Sequence, residues 1–244
     1  MTRLFRMVVI DYVQSLRIGV EWALAIVVPY LVLRETMSTA TVLATWALLS
    51  LALTGYSTSV LCDMAEQPRQ LWRFTALRDR TLYLAAYITA SLAISCASFV
   101  VMAGATAIFN PFAMPSVFTI IATLPTLITL IMSVVFGVTL VSPLVSTTVQ
   151  RLIVLVVITI PLAWNLVVTV AQHRFNIAES ALLDSITTLF GVMIWPILHL
   201  YAVSIAPSYS WLTVVFLMIQ LLLNGAIAWV IITLFRRKLI RICL

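Results

Sequence analysis

The sequence predicts an all-α integral membrane protein with six transmembrane helices, an N-terminal amphipathic interfacial helix and an external re-entrant helical hairpin between spans five and six. Three observations carry this. Residues are 63% hydrophobic and 9% charged, with mean hydropathy +1.16, against roughly 45–50% apolar and 25% charged in soluble domains. Seven apolar segments approach the roughly 20 residues that a 30 Å bilayer core requires. Basic residues cluster so that an even number of crossings places almost all of them on one side.

Element by element, Leu4, Phe5, Val8, Tyr12, Val13 and Leu16 recur at helical spacing, with Arg3, Arg6, Gln14 and Arg17 largely on other faces. Residues 3–18 therefore read as a helix lying on the cytoplasmic membrane surface. Arg3, Arg6, Asp11, Gln14 and Arg17 interrupt any apolar run of signal-peptide type, so the first span, from Glu21 to Leu33, is expected to act as the targeting signal. The second span runs from Thr39 to Leu61, the third from Leu82 to Ile108, the fourth from Val117 to Val141. The fifth follows Arg151 and reaches about Val170, kinked at Pro161. Asn110, Pro111 and Pro115 suit the turn after span three.

The seventh apolar stretch decides the topology. Trp195 and Pro196 divide 182–205 into pieces of about 12 residues, each about 18 Å long and too short to cross alone. Asp184 and His199 would cost about 2 kcal/mol or more each at mid-membrane in lipid. Residues 178–207 therefore read as a re-entrant hairpin entering from outside, and the last span runs from Trp211 to Phe235. On this count Arg3, Arg6, Arg17, Arg69, Arg73, Arg78, Arg80, Arg151, Arg236, Arg237, Lys238 and Arg241 lie inside, leaving only Arg34 and Arg174 outside. Both termini are then cytoplasmic, and residues 1–244 form a single transmembrane domain.

Catalytic chemistry has no foothold in the sequence. H-E-x-x-H, G-x-S-x-G and paired-aspartate signatures are missing, and none of the six glycines is followed by lysine as a Walker A motif requires. His173 and His199 lack ligand partners at i+3 or i+4, so no metal site is expected. Cys62, Cys96 and Cys243 fit no redox or metal spacing. The net charge of +6 follows from basic residues flanking spans, so no nucleic-acid partner is expected. Asn165, Gln220 and Asn224 lie inside spans, where polar side chains fasten helices together or line a substrate pathway. Trp22, Trp46, Trp72, Tyr83, Trp211 and Trp229 read as interface anchors or core.

The sharpest local signal is the connection from about 63 to 80. At 100° per residue Arg69, Arg73 and Arg80 fall within roughly 40° of one another, while Leu71, Phe74 and Leu77 take a different face. The segment reads either as a solvated positive-inside loop or as an amphipathic helix that docks on a cytoplasmic partner. With Glu66, then Leu71, then Ala76, Leu77, Arg78, Asp79, Arg80 and Leu82, it resembles the acidic residue, leucine-rich turn and basic entry into span three found in the permease of a type-two ABC exporter. Gln67, Pro68 and Arg69 stand where that family usually carries glycine, threonine and leucine. The interfacial helix, six spans and external hairpin extend the likeness over nearly the whole chain.

The resemblance implies a half-transporter, paired with a second permease copy or a homologue. It would bind a cytoplasmic ABC ATPase subunit through Glu66, Arg69, Leu71, Arg73, Phe74, Leu77 and Arg78. ATP and Mg would reside on that partner, and no cofactor on this chain. The hairpin, with Trp195, Pro196 and His199, would act as a lid near the exit. Spans almost free of charge favour a hydrophobic or amphiphilic cargo such as a lipid, drug or peptide. Lys238 is the only lysine among 14 basic residues, a bias typical of GC-rich bacterial genomes, and the resemblance implies the bacterial cytoplasmic (inner) membrane. The competing expectations are a secondary transporter, or a membrane scaffold or assembly subunit, acting without an ATPase.

Overall fold

In the computed structural model, residues 2–33, 38–67, 81–156 and 196–242 are described. All regular structure among them is helical: α1 (Thr2–Gln14), α2 (Arg17–Val32), α3 (Thr39–Ala65), α4 (Thr81–Phe109), α5 (Val117–Val141), α6 (Pro196–Ile205) and α7 (Trp211–Ile242). A further helical stretch occupies 148–156. α3, α4, α5 and α7 are long and apolar enough to cross a membrane, and the bent pair α1 and α2 supplies a fifth crossing if taken as one broken span. The chain is thus an α-helical membrane-embedded protein. The expected limits of α3, α4 and α5 agree with the observed ones to within four residues, and α5 agrees at both ends.

Local chemistry explains those limits. Ser38 and Ser116 cap α3 and α5, each hydroxyl accepting from the backbone N–H three residues on at 3.2 Å. After α4, the three residues Pro111–Ala113 form one 3-10 turn, which tolerates the missing proline donor at its start. α3 and α4 pack against each other, and both carry buried small residues, among them Ser57, Ala86, Ala90 and Ser95. Small side chains bring the helix axes close and let hydroxyls reach across. Thr58 and Ser91 pair at 2.6 Å, Trp46 Nε1 donates to Thr106 Oγ1 at 3.1 Å, and Tyr83 donates to the Ala65 carbonyl at 3.0 Å.

Residues 2–14, expected as part of an interfacial helix, form a helix, but only part of its expected apolar face is covered. Val8 and Tyr12 are buried against Val60, Leu61, Tyr83, Tyr87 and Phe235, whereas Val13 and Leu16 are exposed. α1 thereby lies across one end of the bundle, where α3 finishes, α4 begins and α7 approaches its own end. α2 leaves it at 72°. The turn is made at Leu16, whose φ of 59° lies in the left-handed region. A non-glycine residue there costs about 1–2 kcal/mol. Leu16→Gly is therefore expected to leave the thermal midpoint in detergent unchanged or higher. Leu16→Ile, β-branched and less tolerant of positive φ, is expected to cost about 1 kcal/mol or more.

The segment 68–80 holding Arg69, Leu71, Arg73, Phe74, Leu77 and Arg78 lies outside the described residues. So do Asn165, Trp195 and the first limb of the expected hairpin. The range expected for its second limb holds the short helix α6, Pro196–Ile205, whose Leu200 packs against Leu130 and Phe216.

Candidate functional site: a buried carboxyl junction and an intramembrane cavity

Glu21 is the main departure from the sequence reading, which took it as a span boundary in a bundle with almost no buried charge. Its side chain is fully buried. Tyr12 donates to Oε2 at 2.7 Å and Ser98 donates to Oε1 at 2.6 Å, so both carboxyl oxygens are satisfied. Three elements meet at that one group: the end of α1, the first turns of α2 and the middle of α4. Burial, followed by the hydrogen bond to Glu21, pushes the Tyr12 phenol above its ordinary value, which keeps the proton on the donor. A carboxyl left bare in this setting would cost several kcal/mol, so the two hydroxyls are a condition for burying it. The signal available in the sequence was the spacing of Tyr12 and Glu21 across a helix break. The third member, Ser98, stands 77 residues away and has no local pattern.

At the far end of α2, Asn110 Nδ2 donates to the Pro29 carbonyl at 3.5 Å, and Tyr30 meets Phe109 edge-on with ring centroids 5.4 Å apart. α2 is therefore tied to α4 at both ends, and through Tyr12 to α1.

Gln220 and Asn224, two of the residues expected within spans, come together on α7 and share Ser133 of α5. Asn224 Nδ2 donates to the Thr129 carbonyl at 3.2 Å, while Gln220 Nε2 donates to Ser133 Oγ at 2.9 Å. The Ser133 hydroxyl lies 3.0 Å from Asn224 Oδ1 and 2.9 Å from the Thr129 carbonyl, with one proton to give. His199 is also placed: its Nε2 is 3.2 Å from Thr213 Oγ1 and its ring packs on Phe216 at 4.9 Å. These contacts fasten α6 to α7, and no metal-ligating group of three or more His, Cys, Asp or Glu occurs among the described residues.

Beside the Gln220 network is a cavity of about 670 Å³ lined from α3, α5, the 148–156 stretch, α6 and α7. Its wall runs along α5 from Leu130 to Val141, a rise of about 17 Å, and on to Pro143. Exposed Asp63 stands at the end where α1 lies, and Ser133 and Gln220 lie deeper. The rest of the lining is mostly aliphatic, including Leu51, Val134, Val138 and Ile227. The volume falls in the range of sites that take drug-sized ligands, about 300–1,000 Å³. Glu21 does not line it.

No family model, no curated protein and no solved structure matches this chain.

Proposed function

We propose that this chain is the transmembrane subunit of an ATP-binding-cassette exporter. It moves a hydrophobic or amphiphilic substrate across the bacterial cytoplasmic membrane, powered by ATP and Mg on a separate ATPase subunit. The observation that carries the reading is the 670 Å³ cavity, large enough for such a cargo and apolar along most of its length. In this reading six spans and the external hairpin complete the fold, both termini are cytoplasmic, and a second permease copy or homologue completes the pathway. The segment from Glu66 to Arg80 docks on the ATPase, with Leu71, Phe74 and Leu77 filling its groove and Arg69, Arg73 and Arg78 pairing at the rim. α1 lies at the bundle end from which that segment leaves α3. The Tyr12, Glu21, Ser98 junction ties any shift of α1 to α2 and α4.

Glu21 also favours a second reading, because buried intramembrane carboxyls mark ion-coupled secondary transporters. Against it, both oxygens of Glu21 are engaged by hydroxyls and the group stands apart from the cavity. Purification from native membranes separates the two. The exporter reading expects an ATPase to co-purify with the parent chain and to be lost from Phe74→Asp and Leu77→Asp. Substrate transport by the chain alone in vesicles, with no ATPase present, overturns it.

A further inference from the structure

The hydrogen-bond network beside the cavity fixes what is missing from it. The Thr129 carbonyl can only accept, which orients the Asn224 amide with Nδ2 toward it and Oδ1 toward Ser133. Ser133, already facing two acceptors with a single proton, must in turn receive Nε2 of Gln220 rather than Oε1. Gln220 Oε1 is left as a buried acceptor with no hydrogen-bond partner, on a side chain only 3% exposed that lines the cavity. A buried acceptor without a donor costs about 1–3 kcal/mol, and such a group in a native structure asks for an explanation. Toward the cavity's other end Asp63 adds a carboxylate acceptor, the one formally charged group among the described lining residues, beside the hydroxyls of Ser59 and Ser142. No lysine or arginine is among the described residues of the wall.

We propose that the cavity binds a cationic amphiphile bearing N–H donors, such as an alkylammonium, whose apolar body lies along α5. Its ammonium is taken up first at Asp63 and then by Gln220 Oε1. Anionic lipids and detergents are disfavoured, because a negative headgroup would meet the Gln220 and Asp63 acceptors and no cation among the described wall residues. The proposal rests on the exporter reading for its meaning as cargo, while the binding it describes is a property of this chain alone.

The test is titration of the purified full chain in neutral-lipid nanodiscs with three probes of equal chain length, read by isothermal calorimetry against empty nanodiscs. Dodecylammonium carries charge and donors, dodecyltrimethylammonium carries charge without donors, and laurate carries the opposite charge. Dodecylammonium should bind tightest and laurate weakest. Gln220→Leu should weaken dodecylammonium about tenfold or more and remove its advantage over the trimethyl analogue. Asp63→Asn, at an exposed position, should weaken both cations and keeps the test valid if Gln220→Leu does not fold. Equal affinity for the two cations, undiminished binding in both variants, or laurate binding as tightly as dodecylammonium overturns the proposal. None of these outcomes depends on whether an ATPase co-purifies.

Discussion

Tyr12→Phe should release α1 from α2. The substitution keeps the ring and its packing against the bundle end, but removes the only donor to Glu21 Oε2 among the described contacts. Hydrogen bonds to a carboxylate are worth about 1.5–3 kcal/mol, and the larger figure applies when the partner stays buried and bare. Ser98→Ala strips the other oxygen and should cost a similar amount. Glu21→Gln retains one acceptor oxygen and places a donor where the second hydroxyl can accept, so it should be milder than either. The discriminating measurement is a double-mutant cycle of Tyr12→Phe with Glu21→Leu, read by thermal unfolding in detergent. The double variant should be less destabilised than the sum of the singles, because no bare carboxyl remains once Glu21 is gone. Strict additivity would mean that Tyr12 and Glu21 act independently. Limited trypsin digestion adds a local readout: Arg3, Arg6 and Arg17 flank or lie within α1, and cleavage there should accelerate in Tyr12→Phe while the rest of the chain keeps its parent pattern.

How far the sequence foretold this arrangement depends on how local the determining chemistry is. α5 is bounded by a capping serine and a proline two residues past its end, and both limits were readable to the residue. α1 was readable from its 3.6-residue period, yet the period could not say which part of the apolar stripe would be covered. Val8 and Tyr12 found partners from α3, α4 and α7, and Val13 and Leu16 did not. Glu21 was misjudged for a similar reason. An acidic residue at the start of an apolar run ordinarily sits at the membrane boundary, and burial becomes tolerable through Tyr12 together with the non-local partner Ser98, which no local pattern announces. Gln220 and Asn224 could be flagged as polar residues in a span. Their sharing of Ser133, and the acceptor this leaves unsatisfied, depend on the register of α5 against α7, which periodicity does not encode.

Trp46→Ala should be among the most damaging single substitutions in the chain. A tryptophan eight residues into a span is ambiguous in sequence, since aromatic side chains serve both as interfacial anchors and as packing. Here it is packing: the side chain is 1% exposed, meets Phe99 edge-on at 5.7 Å, and joins Ala25, Leu33, Leu43, Leu53 and Met102 in one cluster. Within a bilayer there is little hydrophobic gain from moving apolar surface out of lipid into protein, so the loss would come from forfeited dispersion contacts and the void left behind. Tryptophan-to-alanine truncations in soluble cores cost about 3–5 kcal/mol, of which the void accounts for a large share. A loss of about 3 kcal/mol is expected here. The hydrogen bond to Thr106 should contribute much less. Membrane interhelical hydrogen bonds average about 0.6 kcal/mol, so Thr106→Val, which preserves shape, should be several-fold milder than Trp46→Ala. Trp46→Phe should fall between the two, keeping part of the aromatic contact with Phe99 while leaving a smaller void. The ordering Thr106→Val, Trp46→Phe, Trp46→Ala, measured by unfolding in mixed micelles, attributes the anchoring of α2 and α3 on α4 to packing. The reverse ordering of the first and last would assign it to the hydrogen bond instead.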